Sequence, residues 1–478
     1  MRDTRATIAR SVLALALGLM FALPAYAGGA LEAAAGAAPA ADTSSLRRTN
    51  ELLLPREFDV GWHGVERRNK VDFQVGGWAG LTMASFRNDD NDRNTADAVT
   101  SLLLSDMRLW SRVWLRDGTN AYVRLRAIGY EFGVSPGVLS PQLPNDGLDL
   151  DLGYVDSKLL GASYRIGRQY IRYGSGLVLA NTLDAVRTFR QHGNFGLNAF
   201  IGKNKPRELD LDPNIAHPHR IFSGLDLTYQ RADDSKLFGY ILAERDKSGQ
   251  PTGISVAGQG FHYDANYAGL GLDGRFSPQV DYHAEAIYER GDSFAIGSGT
   301  ATNNIGAWAG IGSLAYHEDR PMHPVYTAEV LKGSGDSGRL PGLGSVSANA
   351  PGRDDGNFLG FGRYDLGIAL NPRLSNLRVL RLGGTMKPWE EHPGFEELAL
   401  GGKLSFYRKD DPSGGISDPQ ATLIAGDIGT GLDLFCGWRI YSDLSWNLQY
   451  GIFNPGTAYP AATHDSTRTL YSNVTWSF

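Results

Sequence analysis

The residues best placed to do chemistry are arginines. Ten of the 46 basic residues are lysine, so 36 are arginine. A planar guanidinium stays charged at any relevant pH and grips a carboxylate through two parallel hydrogen bonds, so a cluster of them suits an anionic substrate. Arg108 and Arg112 flank Trp110 and precede Trp114, and Tyr122 precedes Arg124 and Arg126. Arg165, Arg168 and Arg172 follow, then Arg363, Arg381 and Arg439. A spacing of two or four keeps side chains on one face of a β-strand. Rings beside guanidiniums offer flat faces to sugars. The plainer alternative is that these arginines pair with Asp433, Glu285 and Glu289 and only brace the fold. No G-x-S-x-G elbow and no acid–base constellation stands out, so no catalytic residue is expected. One Cys excludes an internal disulfide and Cys-based zinc or iron–sulfur sites, and no metal or cofactor is expected. A net charge of −6 argues against nucleic acid as a partner. The run Asn88-Asp89-Asp90-Asn91-Asp92 lacks the spacing of a calcium loop and reads as a solvated turn.

Strands must position these side chains. In Met107–Arg116, Leu109, Val113 and Leu115 share one face, and Arg108, Trp110, Arg112 and Trp114 the other. After Asp117-Gly118-Thr119-Asn120, Val123, Leu125 and Ala127 oppose Tyr122, Arg124 and Arg126. The Asp-Gly turn makes the pair a hairpin with aliphatics on one side and arginines on the other. The segments Gln279–Arg290 and Asp443–Phe453 alternate likewise, and Leu434, Cys436 and Trp438 alternate away from Asp433 and Arg439. Arg168 and Arg172 have the opposite parity to Arg165, and need a bulge near Gly167 to point the same way.

The rhythm of connections is uneven. Short turns are expected near Asp117, Asp273-Gly274 and Tyr441-Ser442; long polar loops at 88–100, 135–149, 202–220, 246–258, 333–356 and 410–430. The chain ends Leu470-Tyr471-Ser472-Asn473-Val474-Thr475-Trp476-Ser477-Phe478, an amphipathic strand closing on an aromatic. Residues 1–27 carry a basic start, an apolar run from Ser11 to Leu23 and a small-residue cleavage site at Ala27. Removing them with Arg2, Asp3, Arg5 and Arg10 leaves the remainder at −8. Residues 28–56 read as a flexible lead-in and 57–478 as one all-β domain. In hydrocarbon a sheet must close on itself. The expectation is a single transmembrane antiparallel β-barrel of about 18 strands in the cell outer membrane, with short periplasmic turns and long extracellular loops.

Five stretches give the chain a likeness to a known family. They are Tyr164-Arg165-Ile166-Gly167-Arg168-Gln169-Tyr170-Ile171-Arg172; Asn181-Thr182-Leu183-Asp184-Ala185; Lys332-Gly333-Ser334-Gly335-Asp336; Phe361-Gly362-Arg363 leading to Leu374-Ser375-Asn376-Leu377; and Gly451-Ile452-Phe453-Asn454-Pro455-Gly456-Thr457-Ala458-Tyr459 with Asp465-Ser466-Thr467. In order and spacing the chain resembles the alginate-export outer-membrane barrels of Gram-negative bacteria. The resemblance implies an 18-stranded monomer that passively exports an anionic, alginate-like exopolysaccharide through an arginine-lined lumen gated by loops. It also implies a periplasmic helical-repeat scaffold as partner, beside outer-membrane lipid and the barrel-assembly machinery that reads the closing strand. A general or substrate-specific porin for small solutes is the alternative.

Overall fold

The computed structural model describes residues 71–137, 147–159, 161–205, 219–231, 235–248, 263–295, 302–339, 341, 349–362 and 364–478. The expected leader 1–27, the lead-in 28–56 and Arg363 lie outside the described residues. Eighteen strands follow one another: β1 (Asp72–Arg87), β2 (Val99–Trp114), β3 (Asn120–Val134), β4 (Gly147–Leu159), β5 (Ala162–Tyr173), β6 (Leu179–His192), β7 (Phe195–Asn204), β8 (Arg220–Gln230), β9 (Lys236–Asp246), β10 (Tyr263–Ser277), β11 (Val280–Phe294), β12 (Thr302–His317), β13 (Val325–Gly333), β14 (Leu377–Met386), β15 (Leu398–Lys409), β16 (Asp427–Arg439), β17 (Leu444–Pro455) and β18 (Thr467–Ser477). Each pairs antiparallel with its chain neighbours, and β1 pairs with β18 from Trp78↔Ser477 to Arg87↔Arg468. The sheet is a closed barrel, which leaves no unpaired edge to meet lipid.

Alternation decides which face is which. Leu103, Leu109, Val123, Ile201, Ile241, Leu270 and Val330 are 40–62% exposed and form the outer surface. Their neighbours, among them Leu104, Arg108, Tyr122, Arg124, Phe200 and Tyr240, are buried on the inner one. Two aromatic levels bound the outer band: Tyr288 opposite Trp308, and Tyr316 opposite Tyr326. Trp308 and Tyr316 lie about 26 Å apart along β12, close to the expected height of an outer-membrane apolar band.

Connections alternate in length around the barrel. At one end the turns are short, such as those at 115–119, 160–161, 193–194 and 440–443; at the other lie 88–98, 205–219, 247–262, 334–376, 410–426 and 456–466. One expected turn is misplaced: Asp273-Gly274 lies inside β10, and the chain reverses at 278–279. Glycine there serves packing, because its missing Cβ makes room for the Tyr282 ring.

The described residues from Phe358 to Leu374 of the 334–376 connection fold back into the barrel. Phe358, Leu359, Phe361, Leu366, Ala369, Leu370 and Leu374 join one buried cluster with Tyr173, Phe222, Tyr240, Tyr267 and Leu331 of the wall. The short β5–β6 connection meets it there: Phe361 N donates to Val178 O at 2.9 Å and Gly362 N to Leu177 O at 3.2 Å. Burial of these apolar side chains fills part of the interior that an 18-stranded barrel would otherwise leave to water.

Candidate functional site

The arginines of β2, β3 and β5 gather on the inner face. Cross-strand register sets Trp78 opposite Arg108 and Arg108 opposite Arg126. The next rows down set Trp110 opposite Arg124 and Arg112 opposite Tyr122. Like charges face each other directly in the first row, an unfavourable arrangement unless an anion intervenes. Asp106, two residues from Arg108 on the same strand face, is that anion. It accepts from Arg126 Nε and Nη2 at 3.0 and 2.9 Å and from Arg108 Nε and Nη2 at 3.2 and 3.1 Å.

A second acid lies at a bulge. In β4 the partner of Arg124 is Leu152 and that of Leu125 is Leu150, so Asp151 is an extra residue. It points inward beside Leu152, 1% exposed, against Arg124 Nε at 2.5 Å and Arg108 Nη1 at 3.1 Å. In the next strand pair, Arg165 meets Asp156 through Nε at 2.7 Å and Nη2 at 2.9 Å and lies 4.0 Å from the Tyr154 ring centroid. Arg108 and Arg124 stack over Trp78, at 5.5 and 5.3 Å.

Arg112 differs from its neighbours. It is 6% exposed and donates from Nη2 to the Tyr154 hydroxyl at 3.1 Å. Its guanidinium lies 4.8 Å from the Tyr122 centroid and 5.4 Å from that of Trp114. Tyr122 in turn stacks between Trp110 and Tyr154. Among the described residues no carboxylate pairs with Arg112, and its Nε finds no acceptor. The cluster therefore sets five arginines (108, 112, 124, 126 and 165) against three aspartates (106, 151 and 156).

The other arginines named from the sequence separate from this group. Arg381 is buried on the inner face across the barrel, held by Glu329 through Nε at 2.6 Å and stacked 5.7 Å from Tyr364 of the inserted connection. Arg439 has the inner parity, but it sits exposed at the short-turn end and donates to Ser442 O at 3.3 Å. Arg168 and Arg172 do not turn inward. Pairing of β5 runs in unbroken register through Gly167, so no extra residue reverses their parity. Gly167 (φ +127°) serves close approach to the backbone of Gly153 and Tyr154. Arg168 instead bonds Asp184, its cross-strand neighbour, at 2.7 Å, and Arg172 bonds Ser175 O at 2.5 Å.

The acids expected to brace the arginines do other work. Glu289 accepts from Tyr263 Oη at 2.6 Å and from Leu359 N at 2.9 Å. Tyr267 Oη lies 3.1 Å from the same carboxylate and 2.6 Å from Leu359 O. Glu285 accepts from Ser175 N at 2.8 Å and Tyr240 Oη at 2.6 Å, and Asp433 accepts from Ile368 N at 3.1 Å. Three wall carboxylates thus cap main-chain N–H groups of the two inward-folded connections. Arg339 and Asp355 pair inside the longer one, with Ser293 on Asp355 at 2.8 Å. Burial opposes the Asp355 carboxylate, but the Arg339 charge and its hydrogen bonds outweigh that and hold its pKa below the usual range.

Trp78, Asp106, Asp151, Asp156 and Tyr154 were absent from the sequence reading. Asp106 shares the parity of Arg108, and Asp151 alternates against the outward Leu148 and Leu150; the bulge lets Asp151 share the inner face with Tyr154 and Asp156, which have the other parity.

A closed 18-stranded barrel with an apolar outer band, a charged inner face and partly inserted loops defines an outer-membrane channel. Structures of the same architecture include Pseudomonas aeruginosa OccK11 (OpdR), at 11% identity and TM-score 0.53 over 87% of this chain and 99% of that one. P. aeruginosa OccK8 (OprE) matches at 11% identity and TM-score 0.54 over 85% and 98%. P. aeruginosa OpdK, determined with vanillate, matches at 11% identity and TM-score 0.53 over 85% and 98%. No curated protein matches the chain in sequence. The alginate export family model matches residues 78–472, and the chain belongs to that family. The family and the fold are those of transport channels of the outer membrane.

Proposed function

We propose that the channel passively exports an anionic, alginate-like exopolysaccharide, guided by the inner-face arginines of β2, β3 and β5. The observation that carries this reading is Arg112, a buried guanidinium with aromatic faces beside it and no carboxylate partner among the described residues. A uronate offers a carboxylate for the guanidinium and a ring face for Tyr122 or Trp114. Arg108, Arg124 and Arg126 share two acids, so the group carries net positive charge and concentrates polyanions in a low-dielectric tube. Sharing also keeps each site weak, which conduction requires. A periplasmic repeat scaffold would deliver the polymer to a monomeric barrel.

The inserted 334–376 connection favours a second reading, a porin for small solutes, because it narrows the barrel; OpdK, of the same fold, was determined with vanillate. Planar-bilayer recording separates the two. The export reading expects anion preference and block by oligouronates, with about tenfold weaker block in Arg112→Gln, the scale of one charge-assisted hydrogen bond. Cation preference without uronate block would overturn it and leave the porin reading.

A further inference from the structure

The outer face carries a second, separate set of cations at the long-loop end. Cross-strand register lines up Lys332 of β13, Arg378 of β14 and Arg408 of β15 in one outward row. Three strands on from β15 around the closed sheet, Arg468 of β18 faces Arg87 of β1, also outward. Arg378, Arg408, Arg468 and Arg87 are all exposed. Two of these contacts, Arg378↔Arg408 and Arg87↔Arg468, set like charges directly opposite, which costs stability when nothing neutralises them.

On the inner face the equivalent pair, Arg108↔Arg126, is bridged by Asp106. Outside, Asp410 reaches Lys332 at 2.8 Å and Arg378 at 2.6 Å but no ion pair joins it to Arg408. Asp427 is opposite Arg408 in register, and no ion pair joins them among the described residues. Arg87 and Arg468 likewise have no acid partner among the described residues. Outward acids at this end also face each other at Asp264↔Asp292, away from both arginine pairs. The opposite end of the barrel is bare by comparison: Arg190 of β6 is the one outward-facing strand cation there among the described residues.

We propose that these two arginine pairs bind the phosphate groups of the phosphorylated glycolipid of the outer leaflet. The occupant must carry anions at headgroup height and an apolar body beside the strands. Phosphate accepts two guanidiniums at once and so resolves the like-charge contact that the fold builds. Aliphatic side chains just below, Val330 beside Lys332 and Leu470 beside Arg468, are exposed to receive acyl chains.

The test uses the folded full-length barrel in detergent, with bisphosphorylated lipid A and its phosphate-free form as probes, read by native mass spectrometry. Wild-type protein is expected to retain the phosphorylated lipid preferentially. Arg378→Gln/Arg408→Gln and Arg87→Gln/Arg468→Gln are each expected to weaken retention at least about fivefold, the scale of one headgroup cation. Arg190→Gln and Arg112→Gln are expected to leave it unchanged. Heat-modifiable mobility on gels reports folding of each variant, and a single substitution from each pair replaces any double variant that does not fold. Equal retention of both lipids by the wild type, or unchanged retention in both pairs of variants, would overturn the proposal. Oligouronate block is read separately and does not depend on it.

Discussion

Glu289 is where the inserted connection can be released without touching the strand ladder. Its carboxylate is fully buried and accepts from Leu359 N and Tyr263 Oη. Glu289→Leu keeps the volume apolar and leaves both donors without an acceptor. Each orphaned buried donor costs about 1–3 kcal/mol, so the docked connection loses about 2–6 kcal/mol, less what the leucine returns by burial. Taking about 3 kcal/mol, the undocked population rises roughly 100-fold. Glu289→Gln retains one acceptor oxygen and should lose about 1 kcal/mol, or about fivefold. Amide hydrogen exchange at Phe358–Gly362 reads both, because this stretch has no partner strand within the barrel ladder. Exchange should accelerate there and stay slow in β10, β11 and β12, with conductance rising in parallel. If Glu289→Leu folds and Leu359 exchanges as in the wild type, the wall carboxylates do not hold the connection. Uniform acceleration across the barrel would show that Glu289 stabilises the wall instead.

Asp156→Asn strands a buried Arg165 beside a neutral amide; loss of a buried pair's partner costs about 3–5 kcal/mol, and the urea midpoint of the refolded barrel should fall accordingly. Gly360→Ala places a methyl against Leu177 O, where the two inserted connections touch, so it should open the interior much as Glu289→Leu does, measured by conductance. At the rim, Asp465 bonds Arg93 and joins the β17–β18 connection to the β1–β2 connection. The hydrogen bonds from the Arg93 side chain and backbone depress its pKa from 3.8 to about 2. A depressed carboxylate stabilises above its unfolded pKa and loses that contribution as pH falls through the folded value. The clasp should therefore persist at pH 4 and part near pH 2, seen as loop exchange by NMR, and Asp465→Asn should remove that pH dependence.

Period-two alternation carries most of the barrel, since each strand has one face in lipid and a slip of one residue would bury the wrong set. Parity was enough to place Arg108, Arg112, Arg124, Arg126 and Arg165 on the inner face. It also indicated that Arg168 and Arg172 point outward unless a bulge intervened; the bulge falls in β4, at Asp151, where no residue type announces it. The inward fold of 334–376 was illegible for a different reason. Its apolar side chains are irregularly spaced among Gly, Pro and Asp, so they show no period, and the wall carboxylates that hold them are hundreds of atoms away along the chain. Those same carboxylates looked like counter-ions because parity gives a face and not a height.

Shared acids bridge the like-charge contact of the inner face, and the way they are shared bears on whether the inner arginines brace or guide. A barrel that needed its arginines only as struts would give each a carboxylate, as Arg165 has Asp156 and Arg381 has Glu329. Arg108 instead divides its donors between Asp106 and Asp151, and each of those acids serves a second arginine. Divided pairs hold their partners more weakly, and their displacement by a passing carboxylate costs less than breaking a private one. Arg112 is the one guanidinium of the group without a carboxylate partner among the described residues. If bracing were the whole role, Arg112→Gln would alter neither selectivity nor block, and a change in either with unchanged barrel stability separates guiding from bracing.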